Sequence, residues 1–165
     1  MTVLRWLLRI VAGLVALIAL VFFGARFHDG PLGPIPGGPI VAGEEVSQPV
    51  ADWSALKDTG EIQLQLDSQS RSRTVWFFVL DGKGYIPCSL DFPPGKSWHH
   101  DAVKDGRATL RIDGKRYPVT LTKLDDAAAQ QLSERARAEL TRKYKRLPPG
   151  EGGAWLFEVT SRAEG

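Results

Sequence analysis

Residues 71–100 read RSRTVWFFVLDGKGYIPCSLDFPPGKSWHH, and the order of patterns within them decides the fold. Residues 74–80 are apolar on both faces, Trp76, Phe78 and Leu80 alternating with Val75, Phe77 and Val79, which predicts a central strand. Asp81-Gly82-Lys83-Gly84 follows, and an Asp-Gly pair accepts the positive φ that a tight hairpin requires. A second short strand is expected over residues 85–89, then a Pro93-Pro94-Gly95 loop and a polar segment opened by Lys96, Ser97 and Trp98. Cationic side chains flank this unit: Arg71 and Arg73 before the first strand, Lys96 after the second. Arg73 and Lys96 suit a phosphate, the guanidinium as a bidentate donor and the ammonium as a point charge. Trp76 or Trp98 would pack on a planar ring. Spacing alone leaves the alternative open, with Arg73 a solvated strand-end residue and both indoles in the core.

The surrounding sequence continues the β pattern. Residues 61–67 alternate Ile62, Leu64 and Leu66 against Gln63 and Gln65, and residues 107–112 alternate Ala108, Leu110 and Ile112 against Arg107, Thr109 and Arg111. Asp113-Gly114 is a second hairpin signal, leading into a strand over residues 117–124. A last strand over 154–160 carries Trp155, Phe157 and Val159 on one face. Asp52 is expected to cap a short helix reaching Lys57. The long helix begins at its N-cap Asp125 and buries Ala128, Leu132, Ala136, Leu140 and Tyr144, with Glu139 able to pair with Lys143. Arg142, Lys143, Lys145 and Arg146 crowd its end, where a solvated basic turn compensates the helix dipole, and Pro148-Pro149-Gly150 stops it. Six short strands and one long helix predict a mainly β (α+β) fold, a small six-stranded antiparallel barrel.

The chain divides into three parts. Residues 4–25 are apolar apart from Arg5 and Arg9, and about 20 apolar residues cross a hydrocarbon layer about 30 Å thick. Phe23 spoils a small-x-small cleavage site, so an uncleaved transmembrane anchor is expected over a cleaved signal. Arg5 and Arg9 precede the run and only Arg26 follows it before Lys57, which places the N-terminus in the cytoplasm and the domain outside. Residues 26–43 are a linker rich in proline and glycine, where neither helix nor strand is expected. Its Leu32, Ile35, Ile40 and Val41 are more apolar than a solvated tether needs, so part of it should lie against the domain or the membrane. The barrel domain spans 44–162.

Composition removes several function classes. Three of the 21 Lys and Arg and one of the 19 Asp and Glu lie in residues 1–43, which leaves the domain with 18 of each and no bulk field to draw nucleic acid. The single cysteine, Cys88, excludes an internal disulfide and a Cys-rich zinc site, and its place in a strand reads as core. His99 and His100 point about 100° apart on a helix and share one metal poorly. Ser54-Ala-Leu-Lys57 fits the Ser-x-x-Lys pattern of acyl-transfer enzymes, but its companion motifs Ser-Asp-Asn and Lys-Thr-Gly are missing.

Taken in order, residues 61–66, Ser72-Arg73-Thr74-Val75-Trp76, Asp81-Gly82-x-Gly84-Tyr85, Lys96-Ser97-Trp98 and residues 106–115 resemble the FMN-binding split-barrel clan. That clan comprises the pyridoxamine 5′-phosphate oxidase-like proteins and the deazaflavin-dependent nitroreductases, and the likeness spans about residues 50–162. The linker phrase over residues 30–38 is similar to that of membrane-anchored members. The resemblance implies a split barrel, a homodimer, and FMN or a deazaflavin at the dimer interface. It implicates Arg73 and Thr74 on the first strand, Ser89 at the end of the second, and Lys96 with Trp98 beyond the loop as cofactor-binding residues. It also implies that no side chain need be a catalyst. Against the clan pattern, Ser89 and Lys96 are separated by LDFPPG, and Lys104-Asp105-Gly106 replaces Asn-Pro. Two expectations follow: a membrane-tethered flavin- or deazaflavin-dependent oxidoreductase, or a non-enzymatic split barrel binding haem, another small molecule or a protein at the membrane.

Overall fold

A computed structural model describes residues 2–144 and 153–163. Helix α1 (Thr2–Ala25) opens the chain. Its Val3–Ala25 stretch is 23 residues long with a mean hydropathy of 2.6, and it is exposed throughout its apolar window. At 1.5 Å per residue that is about 35 Å, enough to cross a bilayer, and a signal sequence meets the same measure.

Strand β1 (Glu44–Glu45) comes next, then a single 3-10 turn at Ser54–Leu56. The helix expected from Asp52 to Lys57 is only this turn. Trp53 is buried and its N–H donates to the Gly82 carbonyl, while Asp52 Oδ1 accepts from the Ser54 N–H at 2.8 Å, so the backbone is committed before a second turn forms. Then follow β2 (Glu61–Leu66), β3 (Ser72–Trp76), β4 (Phe78–Leu80) and β5 (Lys83–Ser89). After them come α2 (Trp98–Lys104), β6 (Arg107–Ile112), β7 (Lys115–Lys123), α3 (Asp126–Lys143) and β8 (Ala154–Ser161).

The strand order is β3-β2-β6-β7-β8-β5-β4, antiparallel along this path, with β1 adding a parallel pairing to β7. The path begins and ends on two halves of one chain segment. At Phe77 the strand expected over 74–80 changes partner: Ser72–Trp76 pairs with β2 and Phe78–Leu80 with β5. The sheet therefore curls round on itself as a split barrel, which removes most of its free edge. Both Asp-Gly turns have the expected left-handed backbone, with φ of 51° and 76° at Asp81-Gly82 and 49° and 77° at Asp113-Gly114.

The alternating side chains fill the interior, where Leu64, Leu66, Phe77, Ile86, Leu110, Val119 and Phe157 are fully buried. A second layer sits outside, where Ala136, Leu132 and Leu140 of α3 cover Phe78, Tyr85 and Leu156. Asp125 caps α3 as expected, its Oδ1 accepting from the Ala128 N–H at 2.8 Å. The end of α3 departs from a solvated basic turn. Lys143 is buried and donates to the carbonyls of Thr59 (2.7 Å) and Phe77 (3.3 Å), pinning the point where the strand changes partner. Arg142 stays outside, paired with Glu139 at 2.6 Å. Lys145, Arg146 and the expected stop at 148–150 lie outside the described residues.

The linker is folded onto the barrel. Its Gly37 and the edge residue Ser72 exchange backbone hydrogen bonds, and Ser72 Oγ donates to the Gly38 carbonyl at 2.6 Å. A Cβ on Gly38 would lie 2.5 Å from the Arg26 carbonyl oxygen and 2.7 Å from that of His28, so this close return past the helix end requires glycine.

Candidate functional site

Where the linker crosses β3, a cleft of about 570 Å3 opens. One wall is Ser68–Arg71 with Arg73 and Thr74; the opposite wall is Pro93 and Gly95 to Trp98; Pro34 and Pro36 of the linker complete it. Four of the five residues singled out in the sequence, Arg73, Thr74, Lys96 and Trp98, line this space. Ser89 does not. Paired with Ala154 at the far end of β5, it lines a second hollow of about 340 Å3 beneath α3, and its Oγ accepts from the Phe92 N–H at 3.3 Å.

The chemistry of the first cleft is cationic. Arg71, Arg73 and Lys96 contribute to its lining and no carboxylate does. Arg73 Nη2 donates to Gln69 Oε1, and its guanidinium carbon stands 5.7 Å from the centre of the Trp98 ring, a cation–π contact. Arg71 Nη2 donates to the Pro36 carbonyl at 2.8 Å. Among the described residues, each guanidinium leaves a buried Nε–H without an acceptor. Burial, reinforced by the charge of Arg71, draws the Arg73 guanidinium down to about 10, and Asp101 acts in the other direction. Both arginines are partly buried, so their charges are partly desolvated and would gain from an anionic partner.

The other predicted residues are partly committed elsewhere. Thr74 Oγ1 donates to the Gly33 carbonyl at 2.6 Å, holding the linker. Lys96 Nζ reaches the Phe92 carbonyl across its own loop. Trp98 is buried against Phe157, ring centres 5.6 Å apart, and presents only its margin to the cleft. Trp76 lies outside this cleft, stacked on Tyr144 at 4.0 Å. Gln69, which fixes Arg73 and also donates to Asp101 at 2.8 Å, carried no sequence signal. The docking expected from Leu32, Ile35, Ile40 and Val41 is made by other residues in part: Ile40 is buried, Leu32 and Val41 are exposed, and Pro34 and Pro36 form the cleft wall.

Among the described residues no three His, Cys, Asp or Glu side chains gather in a way that could hold a metal ion. His99 is buried against Trp155, ring centres 5.1 Å apart, and burial with the neighbouring His100 holds its imidazole below the ordinary range. Cys88 is core; burial pushes its thiol up to about 11.

No family model and no curated protein matches the sequence. Solved structures similar to the chain include a pyridoxamine 5′-phosphate oxidase-like protein from Listeria innocua, 11% identical, with a TM-score of 0.41, covering 62% of this chain and 82% of that one. A NimC/NimA family protein from Clostridium acetobutylicum is 17% identical, also with a TM-score of 0.41, covering 64% of this chain and 76% of that one.

Proposed function

We propose that the barrel binds a phosphate-bearing, flat cofactor of the FMN or deazaflavin type in the Arg71–Arg73–Lys96 cleft, and serves as a membrane-tethered oxidoreductase. The observation that carries this reading is the convergence of Arg71, Arg73 and Lys96 on one cleft whose lining, among the described residues, holds no carboxylate. A phosphate there would accept from the guanidinium groups of the two arginines, with Lys96 on the opposite wall adding a point charge. The bound group would supply hydride chemistry, leaving the chain to bind and orient it. Arg73 would hold the anion, Gln69 would hold Arg73, and the Trp98 indole would keep water from one side of the guanidinium.

The test uses the full chain in detergent micelles, titrated with FMN and with a deazaflavin while absorption is followed. Saturable uptake is expected, with at least tenfold weaker binding in the Arg73→Ala, Lys96→Ala double variant. Affinity should hold to about pH 9, because Arg73, though drawn down to about 10, keeps its proton there. A folded chain that takes up neither compound overturns the proposal. Sedimentation of the same sample tests the accompanying proposal of a homodimer. Protease protection of the domain in sealed vesicles tests a cytoplasmic N-terminus with the barrel outside.

A second reading, a ligand-binding module without catalysis, draws support from Ser89. Its side chain lies in the other hollow, leaving the anion cleft without a strand-end hydroxyl. An anion that binds without any redox change of the added flavin favours that reading.

A further inference from the structure

The segment between membrane helix and barrel is more tightly held than a tether requires. Asp29 forms an ion pair with Arg111 at 2.7 Å and accepts from the backbone of Val41 at 2.7 Å, so the two ends of the segment are drawn to one point. Arg111, whose side chain is only 14% exposed, also donates to Gln63 Oε1 (2.6 Å) and to the carbonyls of Asp29 (3.0 Å) and Ala42 (3.1 Å). Its guanidinium thus serves four acceptors, all but one of them on the segment. Ile40, buried, is fixed by its N–H to Gln65 Oε1 at 2.7 Å. Between these anchors the segment passes over β3, and there Pro36 takes the Arg71 guanidinium and Gly33 the Thr74 hydroxyl. Pro34 and Pro36 are part of the cleft wall.

We propose that residues 26–43 are a wall of the anion cleft rather than a spacer, and that Asp29 and Arg111 are positioning residues for ligand binding there. The latch acts at a distance. It holds the strap on β3, the strap holds Arg71 through the Pro36 carbonyl, and Arg71 is left with its Nε–H directed at no protein acceptor. With the strap released, Arg71 loses its anchor and the cleft loses two of its lining residues. A domain beginning at residue 44 would fold around an incomplete site. This inference rests on the reading of the cleft as an anion site, and it holds whether the anion is a flavin phosphate or a simpler one.

Inorganic pyrophosphate is the probe, titrated by calorimetry into the full chain in detergent micelles, with FMN in parallel. Asp29→Ala removes the latch without substituting any cleft-lining residue. Gly38→Val is a second route to the same end, since its side chain collides with the Arg26 and His28 carbonyls. Hydrogen exchange at the Gly37, Ile40 and Val41 amides reports whether the strap has come away. The expected result is faster exchange at these amides together with about tenfold weaker pyrophosphate binding, and partial recovery in Asp29→Glu. Arg135→Gln, at an exposed ion pair with Asp81, is the control and should change neither. Strap release with unchanged pyrophosphate affinity overturns the proposal. If the parent chain binds pyrophosphate but not FMN, the cofactor reading falls and the strap variants still decide this one. If it binds neither, both fall.

Discussion

On one side of Phe77, Ser72–Trp76 is covered by a strap of proline and glycine; on the other, Phe78–Leu80 lies beneath the apolar face of α3. The strap closes off the β3 edge and the helix covers the outer face of β4, β5 and β8, and they do so by different physics. The strap is held mainly by hydrogen bonds, each contributing about 0.5–1.5 kcal/mol net, and a polar covering leaves room for a charged cleft. The helix is held by apolar burial, at about 25 cal/mol per Å2, and helps fix the barrel's stability. The proposed site lies with the weaker covering, as expected where a cleft has to admit a ligand.

Four substitutions press on this contrast. Phe78→Ala empties a fully buried site stacked on Tyr85, ring centres 5.5 Å apart, and should cost about 3–5 kcal/mol in chemical denaturation. Pyrophosphate affinity should be unchanged wherever the variant is folded; a loss of affinity would mean that the two coverings are coupled. Lys143→Met strands the Thr59 and Phe77 carbonyls at the strand switch and should cost about 1–3 kcal/mol, measured the same way. Ser72→Ala removes the bond from its hydroxyl to Gly38 on the strap side. A loss of about 1 kcal/mol is expected, together with faster amide exchange in the strap and none beneath α3. Arg135→Gln breaks only the exposed pair with Asp81 and should leave stability almost unchanged, with any small loss diminished by salt.

Period-2 patterns and Asp-Gly turns made the barrel legible, because alternation and positive φ are local properties written in a few adjacent residues. The change of partner at Phe77 was not, since a strand apolar on both faces reads as continuous whether its neighbours change or not. Lys143 was misread for a similar reason: a basic residue in a last helical turn suits the dipole, and only the fold brings two carbonyls to its ammonium. Arg73, Thr74, Lys96 and Trp98 do share one cleft, whereas Ser89 is carried off by the direction of β5. Trp98 serves chiefly as core, and Gln69 entered only through the fold. Nothing local marks Arg111 as the strap's anchor; in the sequence it is one of three alternating polar residues on a half-buried strand.

The latch also orders events during synthesis. Asp29 leaves the ribosome 82 residues ahead of Arg111. At about 5–20 residues per second the latch lacks its arginine for roughly 4 to 16 seconds after Asp29 is made. Ser72 emerges earlier, but its edge takes shape only once β2 and β6 have paired around it. The nascent chain therefore has its N-terminal helix made and its strap not yet latched while the barrel is still being assembled. The proposed anion cleft, though six of its thirteen lining residues precede Arg73, belongs among the last parts of the molecule to form.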